Sequence, residues 1–202
     1  MQALKGSIVL FFALLLSFGA IAQTDDTDEI NISAAFSSSI DLTVTSGDNI
    51  SFVVASLEQY TDGLADPAGV AYSSIFEVNA SVDFKVDLSS TDFTDGAGNT
   101  LNAGNFGYTL EDAGTYQVGT NHLLLGGSAT PSSMAVLGAP QTVVEAAGSG
   151  NAGPATANRF KINFELGTAA ARAVSGLPTL LSQNIAPTTY TSVVTLTASA
   201  MP

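Results

Sequence analysis

The side chains from which chemistry could start are one histidine, His122, and eighteen acidic residues; the chain has no cysteine. A hydrolytic dyad needs a base within hydrogen-bond reach of a nucleophile, and imidazole is the usual base. His122 lies between Asn121 and Leu123, with no second histidine to share a zinc ion, so it is expected to be a strand-end residue meeting solvent rather than a catalyst or ligand. Thiolate nucleophiles and thiolate metal sites are excluded by count. The Gly-Ser-Gly-Asn-Ala-Gly run from Gly148 to Gly153 is followed by neither lysine nor helix, so it is expected to be a flexible loop and not a phosphate cradle.

Carboxylate pairs are the remaining catalytic resource. Glycosidases hold two acids about 5 to 10 Å apart in a groove usually lined by aromatic rings. Here there is no tryptophan, and most of the 11 Phe and 5 Tyr fall at inward strand positions. Asp83 and Asp87 share a strand face with Lys85 between them, the pattern of a charge-balanced, solvated surface. No catalytic residue is expected. Calcium is the one cofactor with candidates, since Asp and Asn offer hard oxygen ligands. Asp92, Asp95 and Asn99 share one loop, and Asp62 and Asp66 another. The spacing departs from the twelve-residue calcium loop, and Asp-Gly and Gly-Asn steps also serve hairpin geometry, so a turn is the first reading and no metal site is assigned. Three N-x-S/T triplets begin at Asn31, Asn49 and Asn79 and are informative only in a eukaryotic host.

Charge narrows the partners. The 202 residues carry 5 basic and 18 acidic side chains, a formal net charge of -13. Such a surface repels phosphate backbones and anionic headgroups, so nucleic acid is not an expected partner. The first 22 residues read as a signal peptide: Lys5, an apolar run from Ile8 to Phe18, then Ala20-Ile21-Ala22 as the cleavage site. Gln23, Thr24, Asp25 and Asp26 cut the run short of a membrane span. Secretion is therefore expected, with the mature chain extracellular, at the cell surface or in the periplasm and without a membrane span.

Behind a flexible acidic leader at residues 23–29, one domain over 30–202 is expected, built of strands. Ile30, Ile32, Ala34 and Phe36, then Ile40, Leu42 and Val44, recur at every second position, which gives a buried and a wet face to an extended chain. Ile50, Phe52 and Val54 follow a Ser-Gly-Asp-Asn turn and fit an antiparallel partner. Phe76, Val78, Ala80, Val82, Phe84, Val86 and Leu88 share one parity over thirteen residues. That is twice a usual strand, so it is either one long strand or one that bends midway and serves two sheets. The run Ser90–Asn99 predicts a hairpin loop. Further strands are predicted at Phe106–Leu110, Thr115–Val118, His122–Leu125, Thr142–Ala146, Arg159–Leu166 and Tyr190–Ala198, with one or two helical turns within Thr168–Ser182. Short strands, Gly- and Asp-rich turns and one weak helix predict an all-β fold, an antiparallel sandwich with Greek-key connections.

The closing run Ala186-Pro187-Thr188-Thr189-Tyr190-Thr191-Ser192-Val193-Val194-Thr195-Leu196-Thr197-Ala198 resembles the last strand of secreted bacterial pilin-like and immunoglobulin-like surface domains. The run Phe84–Leu88 followed by Thr94–Leu101 is similar to an earlier strand and hairpin of such domains. Many members place Gly before that tyrosine and carry a disulfide, where this chain has Thr189 and no cysteine. The resemblance implies a sandwich on a bacterial exterior.

With catalysis set aside, edges and loops remain. The expected function is that of a secreted structural subunit of a surface layer or filament, assembling with itself or with other surface proteins through strand-edge contacts. Ile30, Ile32, Ala34 and Phe36 are the self-assembly candidates: their strand either completes the protein's own sheet or is donated to a neighbouring subunit. The alternative is an adhesin or binding module that recognises a glycan or protein through the loops from Gly126 to Asn158.

Overall fold

The computed structural model describes residues 33–35, 37–125 and 133–202. The chain divides into two units, Met1–Phe36 and Ser37–Pro202. Of the first, residues 33–35 are exposed and without regular structure, so Ala34 is seen outside any strand. The expected signal peptide, the acidic leader, Ile30, Ile32 and Phe36 lie outside the described residues. All that follows concerns the second unit.

Two antiparallel sheets make up most of it. Sheet I has the strand order β1 (Ile40–Ser46), β2 (Ser73–Ala80), β10 (Arg159–Leu166), β6 (Phe106–Asp112) and β8 (Ala135–Val136). Sheet II runs β11 (Val194–Ala200), β3 (Phe84–Ser90), β9 (Gln141–Ala146) and β7 (His122–Leu124). A small hairpin pairs β4 (Phe93–Thr94) with β5 (Thr100–Leu101) around the Asp95–Asn99 loop. Phe76 and Val78 of β2, Tyr108 and Leu110 of β6 and Phe160 and Ile162 of β10 join Phe84, Val86 and Leu88 of β3 in one buried apolar cluster. Each of these large side chains contributes about 1.5–3 kcal/mol on burial. Two antiparallel sheets with a shared core are compatible with an all-β sandwich.

The thirteen-residue alternation resolves into the second of its two readings. The chain bends at Ser81–Asp83, so β2 lies in sheet I and β3 in sheet II, yet parity is kept and Phe76, Val78, Phe84 and Val86 are all fully buried. β10 has the predicted bounds, with Phe160, Ile162, Phe164 and Leu166 inward. The predicted Thr115–Val118 strand does not form; those residues are bends and irregular chain, with one isolated bridge from Val118 to His122.

Two helices flank the sheets. Helix α1 (Leu57–Asp62) was not predicted, although Ser56 and Gln59 form a capping box at its start. Helix α2 (Ala169–Ser175) falls in the predicted stretch, capped by Thr168 and ended by Gly176 in the left-handed conformation. No helix among the described residues is long and apolar enough to cross a membrane.

Candidate functional site

The strand order leaves β1 free on one side of sheet I and β11 free on one side of sheet II. After β1, Gly47 turns the chain at φ +70°, where a Cβ would lie 2.0 Å from the Ser73 carbonyl oxygen, so only glycine fits. The chain then runs past the sandwich opening as Asn49–Val54. Ile50, Phe52 and Val54 are half-buried while Ser51 and Val53 are exposed, so the period of two predicted for this segment is present. The antiparallel partner is not. Among the described residues, no backbone N–H or C=O of Asn49–Val54 makes a hydrogen bond. Aromatic packing holds the segment instead: Phe52 stacks on Tyr72 with ring centroids 4.1 Å apart and meets Phe106 edge-on at 5.7 Å.

Between this segment and β11 opens a cleft of about 360 Å³. Val44, Ile50 and Phe52 form one lip, Val193, Val194 and Leu196 the other, and Phe106, Ile162 and Phe164 lie at its floor. Both lips are nearly free of charge in a chain of net charge -13. Neither Asn49–Leu57 nor Ala173–Pro202 contains a charged or histidine side chain, and Asp48 is the one acid on the rim. Val53 at 68% exposure and Val193 at 77% add apolar surface beside the opening. Unpaired backbone on an uncharged apolar edge is a template for another strand, and the lysines, prolines and bulges that usually guard such an edge are missing from Asn49–Val54.

The residues singled out for chemistry go elsewhere. His122 does not meet solvent: it is fully buried at the start of β7, because its ring points into the space between the sheets. Its Nε2 is 3.5 Å from Asp112 Oδ2 at the end of β6, and its ring meets Phe160 edge-on at 5.0 Å. At that separation the pair is too long for a good hydrogen bond, and among the described residues neither ring nitrogen has a hydrogen-bond partner. Burial pushes the imidazole below its ordinary pKa, with Asp112 pulling the other way.

Asp83 leaves the expected charge-balanced row, where Lys85 does pair with Asp87 at 2.9 Å. At the bend between β2 and β3 its Oδ1 accepts from the N–H groups of Asn151 and Ala152. Asn151, fully buried, accepts from the Phe84 N–H and donates to the Phe84 carbonyl, both at 2.9 Å, as a neighbouring strand would. Asn158 donates to the Asn151 carbonyl, Tyr116 donates to the Ala152 carbonyl, and Gly153 exchanges two backbone bonds with Ala80. The Gly148–Gly153 run is thus not the flexible loop that its composition predicts. It is fastened to the sheet corner by the buried Asn151 amide, whose partner Phe84 lies 67 residues away in sequence.

Of the calcium candidates, Asp95 and Asn99 meet, but through donors. Asp95 Oδ1 accepts from the Ala97 and Asn99 N–H groups and Oδ2 from the Asn99 amide. Asp92 Oδ1 accepts from the Ala103 N–H. In the other loop Asp66 accepts from the N–H groups of Ala68, Val70 and Ala71, which lower its pKa, Ala71 most. Asp66 and Asp95 thus close their own turns, while Asp92 reaches past the β4–β5 hairpin. No group of three or more acidic or histidine side chains suited to a metal occurs among the described residues. Asn49 and Asn79 are both exposed, and Asn31 lies outside the described residues.

No protein-family model and no curated protein sequence matches this chain.

Proposed function

We propose that the chain is a non-catalytic structural subunit of a bacterial cell-surface layer or filament, exported by its N-terminal segment and assembled through strand edges. One observation carries the reading: the Asn49–Val54 segment, outside any strand, has period-two burial from Ile50 to Val54 and an unpaired backbone beside an uncharged apolar cleft. Such an edge accepts an incoming strand through main-chain hydrogen bonds and through pockets for alternate side chains. Strand addition needs no cofactor and no catalytic group. On this reading the segment holding Ile30, Ile32, Ala34 and Phe36 would become a strand only on pairing with a neighbour, Ala34 being exposed and outside any strand in the single chain.

Size-exclusion chromatography of residues 23–202, beside the same chain lacking Thr24–Phe36, tests the reading. Species larger than one copy that disappear with the deletion are the expected result. A monomer at every concentration, with or without the segment, contradicts it.

A further inference from the structure

We infer that the segment Ile30–Phe36 is too short to lie along the Asn49–Val54 edge of its own chain, so that each edge is filled by a second copy and the copies join head to tail. The inference rests on the proposed assembly through strand edges and adds the reason that the occupant comes from another copy and the direction in which the assembly grows.

The two partners are tied to opposite ends of β2. Ser39, the last residue before β1, donates from its N–H to Ser81 Oγ, and Ser81 donates from its N–H to the Ser39 carbonyl, both at 2.9 Å. Ser81 lies just past the end of β2. The Asn49–Val54 segment sits at the start of that strand. Gly47, where the chain turns into it, lies against the Ser73 carbonyl, and Phe52 stacks on Tyr72. From Ser73 to Ser81 the extended chain covers about 26 Å, at ~3.3 Å per residue.

Covalent length sets the reach. Each residue of a fully extended chain spans at most ~3.3–3.6 Å, so counted back from Ser39 the position of Phe36 can reach about 11 Å, Ala34 about 18 Å and Ile32 about 25 Å. Ile30 alone arrives, at about 32 Å, with no strand left to pair along the edge. A second copy has no such limit. Its Ile30, Ile32, Ala34 and Phe36 alternate with Asn31, Ser33 and Ala35, the pattern that fills alternate pockets while main-chain bonds form along the edge.

The root of the donated segment and the edge that takes it are different patches, so the contact is heterologous, and a translation along β2 repeats it without closing. A closed pair would lay two flanks side by side, each from a chain of net charge -13, whereas end-on contact brings less of that like-charged surface together.

The test changes the reach. Twelve Gly and Ser residues inserted between Ser38 and Ser39 let Phe36 travel about 50 Å. The tethered segment then meets its own edge at an effective concentration of about 1 mM, about a hundredfold above protein at 10 μM. Sedimentation velocity compares residues 23–202, this extended chain and a control with the same twelve residues before Thr24, where the reach is unchanged. Far-ultraviolet dichroism confirms that each is folded. The parent and the control are expected to form species of three or more copies that grow with concentration, and the extended chain to lose at least nine-tenths of them to monomer. Equal assembly by the parent and the extended chain overturns the reach argument and leaves strand-edge assembly standing. A parent that stops at two copies overturns head-to-tail growth alone. A parent that stays monomeric overturns both this inference and the proposed function.

Discussion

His122 and Asp112 face one another across the interior, one on β7 of sheet II and the other on β6 of sheet I, at 3.5 Å. With the imidazole fully buried and its pKa lowered chiefly by burial, the folded chain resists a proton that the unfolded chain takes up as pH falls through about 6.5. Below that point the unfolded state holds more protons. Stability therefore falls with falling pH, by up to about 1.4 kcal/mol per unit for this one group, until the folded-state pKa is reached.

The carboxylates extend the same trend at lower pH. Asp87, lowered first by the Thr142 hydroxyl and then by Lys85, and Asp95, lowered chiefly by Asn99, contribute stability above their ordinary pKa that is lost as pH falls through the lowered value. Thermal melts between pH 8 and 4 should show the parent weakening from about pH 6.5 downward, while His122→Leu stays level until the carboxylates titrate below about pH 4. Superimposable pH curves for the two would contradict the burial of a neutral imidazole.

Asn151 stands in for a strand at the sheet corner. Asn151→Ala leaves the Phe84 N–H and carbonyl without their buried partner, at about 1–3 kcal/mol for each group. A loss of about 2–5 kcal/mol in urea unfolding is expected. A loss under about 0.5 kcal/mol, the range of an ordinary surface change, would show that the corner does not depend on this amide.

Tyr108 is a different case. Its ring is fully buried, its hydroxyl has no hydrogen-bond partner among the described residues, and burial pushes the phenol pKa up. Removing an unpaired buried hydroxyl costs nothing in hydrogen bonds and relieves its desolvation. Tyr108→Phe should leave the Tm unchanged or raise it; a clear drop would reveal a partner for the hydroxyl.

The Asp95 loop should be indifferent to calcium, because both carboxylate oxygens already accept from N–H groups. Melts in millimolar calcium and in chelator should coincide, while Asp95→Ala lowers the Tm by loosening the β4–β5 turn. A calcium-dependent rise in Tm that Asp95→Ala abolishes would show oxygens free to bind the ion.

Local periodicity made much of the fold legible. Alternation in Phe76–Leu88 and Arg159–Leu166 gave inward and outward faces correctly, because one buried face fixes parity even where a strand changes sheet at Asp83. What parity cannot carry is pairing. Ile50, Phe52 and Val54 show the same rhythm as a paired strand, yet the neighbour that would complete a ladder is absent, and this is what makes the segment a candidate site. His122 was misplaced because its burial comes from Asp112 and Phe160 on the opposite sheet, which its sequence neighbours do not reveal. Gly148–Gly153 has the composition of a loose loop and becomes fixed only through Asp83 and Phe84. Helix α1 carried a local signal, the Ser56 and Gln59 capping box, on a six-residue segment in which Tyr60 alone packs against the core.

Electron microscopy of native cells, with gold-labelled antibody to residues 37–202, tests the central claim most directly. Label following an ordered layer or filament outside the cell is the expected result. Label confined to the cell interior, or scattered on single particles with no assembly, would contradict it.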